Sequence, residues 1–373
     1  MNVDRKRQNL QDFEVRYLQE NDGAQIGRLF QEVWGDDYLD PIVYDSNALL
    51  GANQSGDMVS FVVDHSTAGV VGHIALIRRD ADAGIFELSQ GVTQPGYKGR
   101  GIFKMLLDRV LEEAHVTGKC RVLFAEPVTN HIFTQSPLYQ VGFRDTGLFY
   151  AMVPSEMMAK EFDRPRAVST LMQFHFADPG DSRVIFLPSH YAPLAQKIYK
   201  QFGMIREIKN SEMNNHGIIL NNNVTCTVIQ DKPRFGVTQV HVEQFGYDFA
   251  YHITCIEKEN FNQGRRVIYV HIPINHPFSE VAINMLREKD YVFGAILPLW
   301  NNIDTLVMQK STEDISDNEI YIKSDLGNEI NNFINNELLK IRNKYFLNNQ
   351  IINIASRYER HNFYQNTRFN NFL

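Results

Sequence analysis

The sequence is most easily read from one glycine-rich run, Gly91-Val92-Thr93-Gln94-Pro95-Gly96-Tyr97-Lys98-Gly99-Arg100-Gly101-Ile102-Phe103. Residues 85–93 are predicted to form a strand, and residues 102–117 have the apolar spacing of a helix. Glycines let backbone amides approach an anion closely, and a helix N-terminus adds unpaired N–H groups with partial positive charge. Lys98 and Arg100 add full charges at the rim. The run therefore predicts a phosphate-binding turn.

Spacing excludes two common phosphate loops for this run. It contains no GxxxxGK[ST] pattern, and no Gly-x-Gly-x-x-Gly is followed by an acidic residue about 20 positions later. The alternative interpretation of the same residues is a solvated glycine turn that binds nothing.

The run resembles the acetyl-CoA pyrophosphate loop of the GNAT N-acetyltransferase superfamily, whose pattern Arg/Gln-x-x-Gly-x-Gly/Ala follows a strand. In this chain the register is Lys98-Gly99-Arg100-Gly101-Ile102-Phe103. Gly101 matches the pattern, Lys98 replaces Arg/Gln, and Phe103 replaces a small residue. The resemblance covers about residues 13–153, where the predicted order β-α-α-β-β-β-α-β-α-β is that of the family.

Two further features support the resemblance. Asn130 follows the fifth predicted strand, and Tyr139 stands three residues before Gly142-Phe143. An Asn followed by Tyr-x-x-Gly-Phe is a common ending in this family.

The second half of the chain repeats the predicted order of the first. Pro127-Val128-Thr129-Asn130-His131 and Pro273-Ile274-Asn275-His276 both follow a buried strand and precede a helix. We therefore predict an α/β (α+β) fold class with tandem GNAT-like mixed twisted sheets flanked by helices. The predicted divisions are a flexible N-terminal arm (1–12), a GNAT acyl-CoA-binding domain (13–153), a connector (154–182) that contains a strand from Ala167 to Phe176, a degenerate GNAT-like domain (183–310) that contains a strand from Met213 to Ile219, and a helical, Asn-rich C-terminal extension (311–373).

The second copy departs from the first at the turn. Phe245-Gly246-Tyr247-Asp248 occupies the place of the glycine-rich run, and Asp248 would repel a diphosphate at the helix start. We expect this copy to form one wall of the acceptor cleft or to stabilise the first copy, and not to bind the CoA diphosphate at its turn.

The resemblance implies an acyl-CoA-dependent N-acyltransferase that transfers an acetyl or acyl group directly from the CoA thioester to an amine. Acetyl-CoA is then the co-substrate, and no metal is expected. The positions that match the family's cofactor contacts are Gly91, Val92, Thr93, Lys98, Gly99, Arg100, Gly101, Ile102, Phe103 and Asn130.

The family pattern places a general acid at Tyr139 and allows a base at Glu87. His73, His131 and Gln135 could line the acceptor site. Each has a structural alternative, which is a core aromatic for Tyr139, a solvated strand-end carboxylate for Glu87 and a hydrogen-bonded core residue for His73. His131 and Gln135 could only cap a helix.

The composition limits the classes of molecule that the protein is expected to bind. A net charge of -7 argues against general nucleic-acid binding, and 43% hydrophobic residues fit a globular chain. Without an apolar leader or a run of 18 apolar residues, we expect a cytoplasmic, membrane-free monomer or homodimer whose partner is an amine-bearing small molecule or protein. The alternative function is a catalytically silent GNAT-fold sensor or partner-binding module; an acyltransferase that uses a longer or carrier-bound acyl group is a third possibility.

The three cysteines are scattered and give no CxxC pair. A disulfide scaffold or zinc site is therefore not expected. Cys120 and Cys255 have apolar neighbours in sequence, which predicts buried thiols.

Overall fold

The computed structural model describes residues 12–36, 38–80, 84–118, 120–155, 167–178, 180–210, 223–313 and 320–346. The chain divides into two compact units, Met1–Ile330 and Asn331–Leu373. In the second unit, the described residues 331–346 are helical. The predicted strand Met213–Ile219 and nearly all of the predicted N-terminal arm lie outside the described residues.

In the described part of the first unit, fourteen strands and seven α-helices lie wholly within its bounds. The strands are β1 (Phe13–Tyr17), β2 (Met58–His65), β3 (Gly69–Asp80), β4 (Ile85–Thr93), β5 (Val122–Ala125), β6 (Arg144–Val153), β7 (Val168–Phe176), β8 (Arg183–Phe186), β9 (Arg206–Lys209), β10 (Cys226–Lys232), β11 (Val237–Gln244), β12 (Val267–Pro273), β13 (Val292–Trp300) and β14 (Ile303–Ser311). The helices are α1 (Gly23–Trp34), α2 (Ser46–Ser55), α3 (Ile102–Thr117), α4 (Gln135–Gln140), α5 (Ala192–Lys200), α6 (Phe249–Asn262) and α7 (Phe278–Glu288).

One 12-stranded mixed sheet organises this unit, with the order β1-β2-β3-β4-β5-β7-β6-β13-β14-β12-β11-β10. The α/β fold class predicted from the sequence is confirmed. The two halves meet where Gly147 of β6 pairs with Ala295 of β13. A β-carbon at position 147 would lie 2.1 Å from the Ala295 β-carbon, so only glycine permits this approach.

The two halves of the sheet share a strand order. Reading inward, β4-β5-β7-β6 in the first half corresponds to β11-β12-β14-β13 in the second. In both halves the first two strands are parallel and the others antiparallel. Strand β7, which we predicted within the connector, lies inside the sheet between β5 and β6, and the separate parallel pair β8–β9 was not predicted.

Helix α3 is held in place by its buried apolar face, whose spacing in the sequence predicted the helix. Ile102, Leu106 and Val110 are buried against strand residues that include Phe61 and Leu123. Burying each large aliphatic side chain contributes about 1.5–3 kcal/mol. This packing fixes the start of α3 beside the end of β4.

Cys255 corrects one prediction because its thiol is exposed. Helical spacing explains the error, since Ile253 and Ile256 take the inward face of α6 and leave Cys255 outside. Cys120 is half-buried, and burial raises the pKa of its thiol to about 12. Among the described helices, none has the length and apolar composition needed to cross a bilayer.

Candidate functional site

Strands β4 and β5 pair over a short distance and then separate. Their parallel ladder joins Ile85–Glu87 to Val122–Phe124. Beyond this point β4 continues to Thr93 along β3, with Thr93 opposite Gly72. The β4 backbone after Glu87 therefore has an edge that faces away from β3 and is not used in the β4–β5 ladder. Such an edge can hydrogen-bond an extended ligand.

A β-bulge lies on this edge at Gln90. The β3–β4 register shifts between the pairs His73–Val92 and Ala75–Ser89, and Gln90 has a φ of 54°. Two contacts hold the bulge. The Gln90 backbone carbonyl lies 3.1 Å from His73 Nδ1, and the Gln90 side-chain amide Nε2 donates to the Asp40 carboxylate at 2.9 Å. A bulge bends the strand and redirects its backbone groups.

His73 lies in the core beneath the bulge and is fully buried. Burial lowers the pKa of its imidazole to about 4. The ring is therefore neutral at pH 7, and Nδ1 is the donor because a carbonyl can only accept. The structure thus gives His73 a role in holding β4, and it does not line the cavity described below.

The turn before α3 is open. Gly99 and Gly101 have φ values of 78° and 85°, and a β-carbon at either position would meet nothing within 4 Å. Among the described residues, no side chain caps α3. Lys98 and Arg100 are exposed at the rim, with the Arg100 guanidinium 4.9 Å from the Tyr97 ring centroid. This arrangement leaves first-turn amides available to an anion, as the glycine spacing predicted.

Phe103 lies between this turn and the bulged strand. Its ring packs so closely on Gly91 that a β-carbon at position 91 would be 2.8 Å from Phe103 Cε2. Both residues line the cavity that continues from the β4 edge. The ring therefore covers part of the path along β4.

A cavity of about 1380 Å³ opens where β4 and β5 separate and extends to the second half of the sheet. Its lining is mixed, with carboxylates, cations, histidines and aromatic rings. The lining residues that could contact or protonate a ligand include Arg79, Glu87, Gly91, Phe103, Glu126, His131, Lys232, His241 and His271.

Glu126 is the titratable group best suited to proton transfer in this cavity. It directly follows β5 and is half-buried. Burial raises the pKa of Glu126 to about 7, and the negative charge of Glu87 acts in the same direction. The positive charges of Lys232 and Arg79 partly oppose this shift. A carboxylate with a pKa near 7 can accept a proton and release it at neutral pH.

Glu87 lines the same cavity but already has a partner. Its carboxylate accepts a hydrogen bond of 2.6 Å from Arg79 Nε and a second contact from the same guanidinium. Because Arg79 already occupies this carboxylate, Glu87 is less available than Glu126 to accept a proton from a ligand.

Tyr139 is not brought to the cavity. Its hydroxyl donates to the buried carboxylate of Asp145, which also accepts from Gln173 at 2.8 Å and from Ser324. Burial and the neighbouring Asp145 raise the pKa of Tyr139 far above its usual range. These contacts fit a structural role for the hydroxyl.

The other predicted residues after β5 divide between the cavity and the core. His131 lines the cavity, and its ring centroid lies 5.0 Å from that of Phe133. Gln135 is fully buried and donates to carbonyls of Val128, His131 and Tyr321. Its own oxygen accepts from the Lys323 amide, so Gln135 ties a turn together. Asn130 is half-buried beside His131.

Among the described residues of the second half, no turn is comparably open. A β-carbon at Gly246 would lie 2.2 Å from the Thr225 nitrogen, and the Thr225 amide donates to Asp248 at 2.8 Å. Backbone therefore fills the position that is open at Gly101.

Sequence reasoning missed Glu126. The signal was present, because a carboxylate directly follows the unbroken apolar strand Val122–Ala125. Its elevated pKa depends on burial and on Glu87, which is distant in sequence.

Comparison with known proteins gave matches among solved structures. No protein-family model and no curated protein matches the chain. A Salmonella typhimurium protein assigned as an acetyltransferase, solved with its cofactor acetyl-CoA, is 18% identical, covers 45% of this chain and 95% of its own, and has a TM-score of 0.38. A spermidine N-acetyltransferase from Vibrio cholerae, solved with CoA and spermine, is 17% identical over 44% of this chain and 96% of its own, with a TM-score of 0.36. An N-acetyltransferase from Staphylococcus aureus is 16% identical over 44% of this chain and 99% of its own, with a TM-score of 0.38.

Proposed function

We propose that the protein is an acyl-CoA-dependent N-acyltransferase that uses acetyl-CoA or a related thioester. The observation that carries this proposal is the separation of β4 from β5 beside an open helix N-terminus. This combination places an anion-binding turn, a free strand edge and a cavity in one continuous path. A sheet whose strands stay paired would offer no such path.

The chain's own groups would hold the thioester in two places. The amides of Gly101, Ile102 and Phe103 would bind the diphosphate, with Lys98 and Arg100 adding charge at the rim. The β4 backbone around Gly91 would hydrogen-bond the arm, with Val92 and Thr93 continuing the strand and Asn130 approaching from the β5 side. Bound in this way, the thioester would supply an electrophilic carbonyl inside the cavity.

Glu126 acts as the general base in this proposal. An alkyl amine is protonated at pH 7, so it must lose a proton before its nitrogen can attack a carbonyl. Glu126 accepts that proton, a C–N bond forms, and the C–S bond breaks to release the thiolate. The nitrogen is positively charged after the attack and gives its second proton to the thiolate sulfur, and Glu126 returns the first proton to water. The negative charge of Glu87 lies near Glu126 and would attract the ammonium form of the acceptor to this part of the cavity.

A thiol-release assay tests the proposal. Purified protein is mixed with acetyl-CoA and a panel of amines, and free thiol is followed over time. We expect amine-dependent release that is lost in Glu126→Gln and retained in Glu243→Gln, a cavity carboxylate that is exposed. Absence of release with every amine, in protein that binds no CoA by calorimetry, would remove the proposal.

The position of Phe103 favours a second candidate function, a GNAT-fold binding module without catalysis. Its ring covers Gly91, where the arm would lie. This candidate predicts that CoA binds and that no thiol is released by the wild-type protein or by Phe103→Ala. Thiol release by either the wild-type protein or Phe103→Ala would contradict the binding module and support the enzyme.

A further inference from the structure

Two histidines of the second half face the same cavity. His241 of β11 and His271 of β12 are direct register partners in a parallel ladder. Their rings stack with centroids 4.1 Å apart and planes 26° apart. Both line the cavity, and His271 is only 5% exposed. The second half thus contributes a compact pair of imidazoles to a space that the first half shares.

Most of the ring nitrogens in this pair have no hydrogen-bond partner among the described residues. His241 Nε2 and both nitrogens of His271 are buried without a hydrogen bond in the part of the chain that the structure describes. Buried polar atoms in native proteins are nearly always hydrogen-bonded to protein or to an ordered small molecule. Unpaired nitrogens on two adjacent strands therefore point to a ligand.

The charge beside the pair identifies the kind of ligand. Lys232 lines the same cavity, and its positive charge acts on both imidazoles. No carboxylate forms an ion pair with Lys232 among the described residues. Glu243, the cavity carboxylate on β11, is exposed. An unpaired ammonium next to N–H donors favours an anion.

A metal ion fits this place poorly. Within the described residues, no group of three or more His, Cys, Asp or Glu side chains could hold a metal. The ammonium of Lys232 would also repel a cation.

We propose that Lys232, His241 and His271 form a subsite for an acidic group on the acyl acceptor, whose amine reaches Glu126. The acceptor class is thus an amino acid-like molecule that carries an amine and a carboxylate or phosphate monoester. This inference rests on the proposed function, and it gives the second half of the sheet a part in acceptor recognition. Lys232 also acts electrostatically on Glu126, which places the anion subsite and the base in one neighbourhood.

Binding of the anion has a physical signature at the histidines. Burial lowers the pKa of His241 to about 4 and that of His271 well below its usual range, so both rings are neutral in the free protein. A bound oxyanion accepts their N–H groups and stabilises the charged form of an imidazole. Its arrival therefore changes the hydrogen bonding or protonation of these two rings.

The first test compares three acceptors with similar spacers in the thiol-release assay: β-alanine, phosphoethanolamine and propylamine. We expect one of the two acidic amines to have a kcat/KM at least about tenfold above that of propylamine. Whichever of the two is preferred identifies the acidic group. Lys232→Met and His241→Gln should remove the preference through KM, so that the ratio of kcat/KM for the acidic amine to kcat/KM for propylamine, measured in the same variant, falls to about 1. Lys209→Met, on the surface beside Glu207, is the matched control and should change nothing.

The second test does not need catalysis. Protein labelled with ¹⁵N at histidine is titrated with β-alanine or phosphoethanolamine without CoA, and the imidazole nitrogens are followed by NMR. We expect shifts at His241 and His271 that are absent in Lys232→Met. Shifts without any thiol release would keep the subsite and remove the proposed function. Thiol release that is indifferent to the acidic group, with no imidazole response, would overturn the subsite and keep the enzyme.

Discussion

The ring of Phe103 lies against Gly91, and a β-carbon on Gly91 would come within 2.8 Å of its Cε2 atom. This contact joins the first turn of α3 to the bulged end of β4. The ring occupies space that an extended ligand along β4 would need, so binding requires it to rotate aside.

Phe103→Ala is therefore expected to improve CoA binding. Removing the ring opens the path along Gly91, while the core below α3 keeps Ile102 and Leu106. We predict a severalfold lower Kd for CoA in calorimetry, with stability reduced by no more than about 3–5 kcal/mol, the usual range for truncating a buried aromatic side chain. Weaker binding in a folded variant would mean that the ring stacks on the ligand instead of covering its path.

Gly101→Ala tests the turn before α3. Its φ of 85° strains any residue with a β-carbon by about 1–2 kcal/mol, and relief of that strain would move the amides. Gly118→Ala is the matched control, because Gly118 has a φ of 59° at the other end of α3 and an equally open environment. We predict similar losses of thermal stability in both variants and a loss of CoA affinity in Gly101→Ala alone. Equal affinities would place the diphosphate elsewhere.

Glu126→Gln tests the base. A pKa of about 7 means that the carboxylate is the minor form below that pH, so wild-type kcat/KM should fall about tenfold per pH unit on the acid side and level off above pH 7. The substitution removes a general base, which contributes about 10²- to 10⁴-fold. We expect a loss of that size in kcat with little change in KM for the thioester. A Glu87→Gln variant that loses more than Glu126→Gln would move the base to Glu87.

Tyr139→Phe separates the two interpretations of this tyrosine. The hydroxyl donates to buried Asp145, so its removal should lower the free energy of unfolding by about 1–3 kcal/mol, measured by urea denaturation. Under the structural interpretation, kcat of the folded variant stays within a fewfold of wild type. A drop of a hundredfold or more in kcat would instead support the role of general acid that the family pattern predicts for Tyr139.

His73→Asn tests the clamp on the Gln90 bulge through pH. The pKa of His73 is about 4 in the folded protein and near 6.5 when unfolded, so the unfolded state binds the proton first as pH falls. Its contribution to stability is complete above pH 6.5 and is lost at up to about 1.4 kcal/mol per pH unit down to pH 4. Asparagine can keep the donor to the Gln90 carbonyl without titrating. The difference in unfolding free energy between variant and wild type should therefore change over that pH interval. Parallel curves of unfolding free energy against pH would contradict the role of His73.

The strand and helix order was predictable where local chemistry decides it. The glycine run, the apolar spacing of α3 and the unbroken strand β5 each specify their own element without help from distant residues. Cys255 was wrongly predicted because neighbouring apolar residues in sequence do not show which side of a helix a thiol takes.

The site could be predicted only in part. The open turn at Gly99 and Gly101 follows from glycine chemistry, but the Gln90 bulge depends on His73 and Asp40, which lie far away in sequence. The pKa of Glu126 is raised by its burial and by Glu87, which depend on the tertiary structure, so this residue was not foreseen. The catalytic roles of Tyr139 and Glu87 remain predictions.

A crystal structure of the protein soaked with CoA tests the central claim most directly. The account predicts diphosphate density on the amides of Gly101, Ile102 and Phe103, with the thiol in the cavity near Glu126 and the Phe103 ring turned away from Gly91. Diphosphate bound at any other place, or a closed turn that excludes it, would contradict the account.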